Sequence, residues 1–130
     1  MWWLALLAFA DWSAVEKMLA AGQYRAALAN LEQAKDHPAA WHVLASKAYD
    51  GLNDPAQAVQ EAEAALALEP RSESAHAQLG GIFLSHNTPA AALDIFSDAL
   101  QLLPQSSLLR LGKGLALKEL QRYDEAEREL

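Results

Sequence analysis

Histidine suits metal ligation and proton transfer near neutral pH, and this chain has four: His37, His42, His76 and His86. His42 and His76 occupy equivalent places in two copies of an internal repeat. If the copies stack, both stand on adjacent helices and form a candidate metal pair. The competing reading makes them packing residues. No carboxylate accompanies them at metal-ligand spacing, and packed helix axes stand about 8–10 Å apart. Packing is the expectation, and no metal or cofactor is assigned.

Paired carboxylates are the second candidate, since two of them can share general acid/base work. Glu61, Glu63, Asp94 and Asp98 fall in helical segments, as do Asp124, Glu125, Glu127 and Glu129 near the end. They read as a solvated outer face. Gly80-Gly81 and Gly112-Lys113-Gly114 carry no phosphate-loop pattern and fall inside predicted helices, so they read as close-packing sites. The absence of cysteine removes thiol catalysis and zinc ribbons. With no activated nucleophile and no cofactor loop, the expectation is a protein that is not an enzyme.

Composition fixes the elements that carry these side chains. The 130 residues are 52% hydrophobic, enough for a packed core. Val15, Val43, Val59, Ile82, Ile95 and Thr88 are the whole β-branched complement, in a chain dominated by Ala and Leu. That bias favours helix over strand, and no segment alternates with a period of two. The formal net charge is −7 with scattered basic residues, which excludes a nucleic-acid backbone as partner.

The chain repeats itself. Asn53-Asp54-Pro55-Ala56-Gln57-Ala58 returns one period later as Asn87-Thr88-Pro89-Ala90-Ala91-Ala92, and the turn recurs after one period more at Gln121-Arg122-Tyr123. Pro70 and Pro104 keep the same separation. The period is about 34 residues, a length typical of helical repeat arrays. An earlier unit, Gly22-Gln23-Tyr24-Arg25-Ala26-Ala27, stands closer to the second than this period allows. Three positions are missing around Asp36-His37-Pro38: Ala34 is nearer to His42, by that amount, than Ala65 is to His76 or Ala99 to Arg110. A tighter turn is expected there.

The expected helices are 13–21, 24–35, 39–52, 55–68, 73–86, 89–102, 106–120 and 123–130. Asp54 and Thr88 read as N-caps, each followed by proline at the first helical position. Ser13-Ala14-Val15-Glu16 has the form of a capping box. Pro38, Pro70 and Pro104 separate the units. Gly80, Ala92 and Ala99 suit close helix approach, while Tyr49, Phe83 and Phe96 suit the space between pairs.

Period and residue pattern together resemble the tetratricopeptide repeat (TPR) family. The third unit carries the pattern as His76, Leu79, Gly80, Phe83, Ala92, Phe96, Ala99 and Pro104. The second carries it as His42, Ala45, Ser46, Tyr49, Ala58, Ala62, Ala65 and Pro70, and the fourth partly as Gly114, Leu117, Ala126 and Leu130. The resemblance implies an all-α, right-handed superhelical solenoid of antiparallel helix pairs, with units at 11–38, 39–72, 73–106 and a short 107–130. It implies a protein-interaction scaffold whose first helices line a concave groove. Counted in register, that groove takes in Trp12, Val43, Lys47, Asp50, Ala77, Gly81, Leu84, Leu111, Leu115 and Lys118.

Some members of the family clamp a partner's C-terminal carboxylate with Lys, Asn and Arg. Those positions here read Trp12, Glu16, Leu44, Ser74 and Gln78, so that clamp is not expected. The expected partner is another protein or peptide, apolar or amphipathic, fitting an apolar groove. The alternative is a non-catalytic segment of a larger enzyme or assembly factor. By the repeat register the last helix stops about ten residues early, which reads as a fragment of a longer array or as an end that self-associates.

Residues 1–10, MWWLALLAFA, have no charge and end on Ala8-Phe9-Ala10, like a signal-peptide cleavage site. The other reading is an apolar helix covering the end of the array. The stretch is far below the roughly 20 residues that span a bilayer, so a membrane partner is not expected. Both cytoplasmic and exported locations fit the sequence.

Overall fold

The computed structural model describes residues 11–130, so the leader lies outside the described residues. Among the described residues there are eight α-helices and no strand. They are α1 (Ser13–Ala20), α2 (Tyr24–Glu32), α3 (Ala39–Gly51), α4 (Pro55–Leu68), α5 (Glu73–Ser85), α6 (Pro89–Leu102), α7 (Ser107–Glu119) and α8 (Tyr123–Glu129). The main departure from expectation is α2, which ends at Glu32 rather than near residue 35.

Each helix pair closes through the same turn. Gly22, Asn53, Asn87 and Gln121 adopt positive φ, at 75°, 60°, 58° and 62°. The next residue's N–H reaches back to a carbonyl in the last helical turn: Gln23 to Met18, Asp54 to Tyr49, Thr88 to Phe83 and Arg122 to Leu117. This is the Schellman arrangement, which uses a left-handed residue to satisfy the last helical carbonyls. The residue that completes it also begins the next helix. No slack remains, so the two helices must run antiparallel.

Capping differs from expectation in two places. Ser13 is inside α1, whose N-cap is Trp12 with no side-chain bond, so the capping box does not form. Ser13 N–H donates to Asp11 Oδ1 instead (2.9 Å), which holds the Asp11 carboxyl below its ordinary pKa. Thr88 does not cap α6; its hydroxyl donates back to the Phe83 carbonyl at 2.8 Å. Asp54 does cap α4, accepting from Gln57 N–H. Between repeats, Ser72 and Ser106 cap α5 and α7, accepting from Ala75 and Leu109 N–H.

The shortened first junction is closed differently. Pro38 stands at the N-cap of α3 without a side-chain bond. Trp41 Nε1 donates to the Leu31 carbonyl at 2.8 Å, and the His37 ring stacks on Trp41 with centroids 3.6 Å apart.

Small residues let the pairs nest. Ala58, Ala62, Ala65, Ala92 and Ala99 are buried along α4 and α6. Phe96 fills the space that glycine leaves: its ring lies against Gly80 on α5 and Gly112 on α7. One repeat on, Leu130 takes the Phe96 position and lies against Gly114. In the second repeat Ser46 holds the glycine place. Its hydroxyl donates to the Ala58 carbonyl at 2.7 Å and accepts from Gln78 Nε2 at 3.2 Å.

Candidate functional groove

First helices touch first helices in sequence along the molecule: α1 with α3, α3 with α5, and α5 with α7. Among the described residues the second helices touch only first helices. An inner row that packs more closely than the outer row curves the stack, with the first helices on the concave side.

The expected groove residues take different places on that face. Val43 is a correction: it is 6% exposed and buried with Ala39, Ala65 and Ala75, because α5 stacks directly over it. It offers a partner almost nothing. Trp12 is half-buried against the α1–α3 core. Ala77 and Leu84 are half-buried against the cluster around Phe96, so Leu84 also supports the fold.

Gly81 departs from the close-packing reading. A Cβ added there would meet nothing within 4 Å, so this residue faces open space. Ala77, Gly81 and Leu84 share one face of α5 by helical spacing. Leu111, Leu115 and Lys118 form the matching stripe on α7, and Leu111 and Leu115 are 48% and 40% exposed.

The other end of the groove is more polar. Lys47 and Asp50 border a cleft of about 410 Å³ with Glu16, Leu19, Tyr24 and Leu44. Gly51 lets the Tyr24 ring pack against α3, because the ring lies where a side chain at that position would go. Asp50 is committed elsewhere: it accepts from Ser85 Oγ at 3.1 Å and pairs with His86 Nε2 at 2.8 Å. This ties α3 to the end of α5, and the sequence reading missed it.

The histidines have separate partners. His42 Nδ1 stands 2.6 Å from Glu61 Oε2, while His76 Nε2 meets the Pro70 carbonyl at 2.8 Å. His42 and His76 therefore do not converge on a common point. Arg110, one repeat after His76, likewise donates to the Pro104 carbonyl. Among the described residues no group of three His, Cys, Asp or Glu side chains is arranged to hold a metal. Glu61 also departs from the solvated-face reading, being half-buried with His42. Glu129 pairs with Lys113 at 3.1 Å, and Glu125 receives both Arg122 Nε and Nη2, which lowers its pKa. Glu63, Asp94, Asp98, Asp124 and Glu127 are exposed.

No family model matches this chain. No curated protein matches it either. Solved structures do. A crystal structure of MamA protein superposes with a TM-score of 0.68 at 19% identity, covering 88% of this chain and 68% of that one. A second MamA crystal structure gives 0.69 at 20% identity, covering 92% and 75%. The fold is a TPR-like helical solenoid. At such identity the likeness carries the architecture alone. No helix of this solenoid among the described residues is long and apolar enough to cross a membrane.

Proposed function

We propose that this solenoid is a protein-interaction scaffold that holds an apolar or amphipathic segment of another protein in its concave groove. The observation that carries this reading is the open space beside Gly81. Open space beside a backbone, on the face that carries Ala77 and on a helix that touches the one bearing the exposed Leu111 and Leu115, is a place for an incoming apolar side chain. The units 39–72 and 73–106 each contribute one first helix to the groove, with 11–38 and 107–130 at its ends. Exposed cations, Lys47 on α3 and Lys118 on α7, stand along it.

The decisive variant is Gly81→Leu. Its Cβ meets nothing within 4 Å, and it replaces glycine inside a helix, which stabilises by about 0.8 kcal/mol. A partner recovered with the wild-type chain is lost with Gly81→Leu and with Leu115→Asp, while both variants keep their helical circular dichroism. Retention of every partner by both folded variants defeats the groove reading.

A further inference from the structure

The three interfaces between successive repeats share three equivalent positions, one on each of the helices that meet there. The left-handed turns at Gly22, Asn53 and Asn87 set the register. Between the first and second repeats the positions hold Val15, Leu31 and Leu44, buried in one apolar cluster. Between the third and fourth they hold Gly80, Phe96 and Gly112, where one ring fills the space that both glycines leave. Between the second and third they hold Ser46, Ala62 and Gln78, with no large apolar side chain among them. Ser46 is buried; it donates to the Ala58 carbonyl and accepts from Gln78 Nε2.

A second pair of equivalent positions changes in the same direction. One lies on a first helix and the other at the C-cap of the next first helix. The pair is Leu19 and Leu52 in the first interface and Leu84 and Leu120 in the third. Leu19 and Leu84 each pack against a buried apolar cluster. In the middle interface the pair is Asp50 and His86, 2.8 Å apart, and Ser85 Oγ also donates to Asp50. Both side chains of the pair are 24% exposed, so water reaches them. Apolar contact across this interface is left to two separate clusters made mostly of alanine. One is Ala39, Val43, Ala65 and Ala75; the other is Ala58, Ala62 and Ile82.

We propose that the middle interface is the hinge of the solenoid, with residues 11–72 and 73–130 moving as two bodies and Asp50 acting as the latch that holds the joint closed. Separating apolar surfaces exposes them to water at a cost that grows with their area. Exchanging a protein hydrogen bond for one to water costs little net. A half-exposed ion pair adds little more. The interface fixed by Ser46, Gln78 and Asp50 therefore opens before those fixed by Leu31 or Phe96. The alanine clusters keep the two bodies attached, so the motion is a hinge rather than a separation. Lys47 and Gly81 hold equivalent places on α3 and α5, on opposite sides of this joint. Its opening changes the distance between them, and with it the width of the concave face. This inference rests on the repeat interfaces and stands independently of what the groove binds.

The test is a distance distribution measured by electron paramagnetic resonance between two nitroxide labels. The chain has no cysteine, so labels go only where cysteine is introduced. Ala29, Gln60 and Asp94 are equivalent, exposed positions on α2, α4 and α6. Ala29→Cys with Gln60→Cys spans the first interface, and Gln60→Cys with Asp94→Cys spans the middle one. The expected result is a broader distribution for the second pair. Adding Asp50→Ala broadens the second pair further and leaves the first unchanged. Adding Asp50→Leu with His86→Leu, which copies the leucines of both neighbouring interfaces, narrows the second pair to the width of the first. Equal widths for the two pairs without these changes overturn the proposal. So does a second pair whose width Asp50→Ala leaves unaltered, or one that the two leucines fail to narrow.

Discussion

Trp41 Nε1 donates to the carbonyl of Leu31, and this bond does for the first repeat junction what proline and serine do at the other two. The later junctions run Glu69-Pro70-Arg71-Ser72 and Leu103-Pro104-Gln105-Ser106, with N–H of each serine returning to the first carbonyl. The first junction is shorter and has no serine cap. An indole from the following helix reaches over to satisfy the end of α2.

Trp41→Phe therefore removes the indole from the Leu31 carbonyl, which keeps the Ala34 N–H at 3.1 Å. The expected loss is about 1–2 kcal/mol, combining one lost hydrogen bond with reduced packing. Chemical denaturation measures it. Hydrogen exchange should quicken in α1 and α2 more than in α6 or α7, because solenoid stability is largely local.

Phe96 makes one ring serve three helices, so Gly112→Ala forces that ring out of a place walled on its other side by Gly80. Overpacking of this kind costs about 1–3 kcal/mol, less the gain in helix propensity of about 1 kcal/mol. Combined with Phe96→Leu, the two changes should be non-additive by at least about 0.5 kcal/mol. A double-mutant cycle of denaturation midpoints provides the check; additive costs would show that the two residues do not share the contact.

Gln121 holds a left-handed conformation at φ 62°, where its counterpart Gly22 meets no steric penalty. Gln121→Gly should stabilise the α7–α8 turn by about 0.5–1 kcal/mol, the relief of strain exceeding the entropy of the unfolded glycine. Gly22→Ala should destabilise by a similar amount. Thermal unfolding of both variants reads the two signs together.

Tyr49 lies between the first two repeat junctions, and burial, helped by Glu61, Glu32 and Asp54, raises its phenol above the ordinary 10.0. A raised folded pKa means that the unfolded chain loses this proton first. The contribution of Tyr49 is then intact below about pH 10 and falls as pH rises through and beyond that value. The melting temperature of the wild type should drop more steeply above about pH 10 than that of Tyr49→Phe. Parallel curves would remove Tyr49 from the alkaline transition.

Much of the architecture was readable because turn chemistry repeats with the period. Asn53-Asp54-Pro55 and Asn87-Thr88-Pro89 place a left-handed residue, a chain reversal and a helix start within three positions. Ser72 and Ser106 were equally visible, just after Pro70 and Pro104, yet went unread because a serine cap is weak evidence until a helix begins beside it. Thr88 shows the reverse case. Its type suits a cap, but the Schellman turn presents the Phe83 carbonyl to its hydroxyl first.

The groove was readable only as a list of positions. Val43, Ala77 and Leu111 are equivalent by count, but burial separates them, since α5 covers the first and nothing among the described residues covers the third to the same degree. Gly80 and Gly81 are adjacent and identical in type, yet one meets the Phe96 ring and the other faces open space.

By itself the sequence determined the period, the helices, the antiparallel pairing and the odd first junction, because these depend on neighbours within a few residues along the chain. Only the tertiary structure decided that Trp41 closes that junction, that Asp50 ties α3 to His86, and that Gly81 faces open space. These relationships arise where helices cross, between residues separated by 10 to 36 positions or facing no partner at all. Side-chain type and spacing along the chain do not specify which atoms meet there.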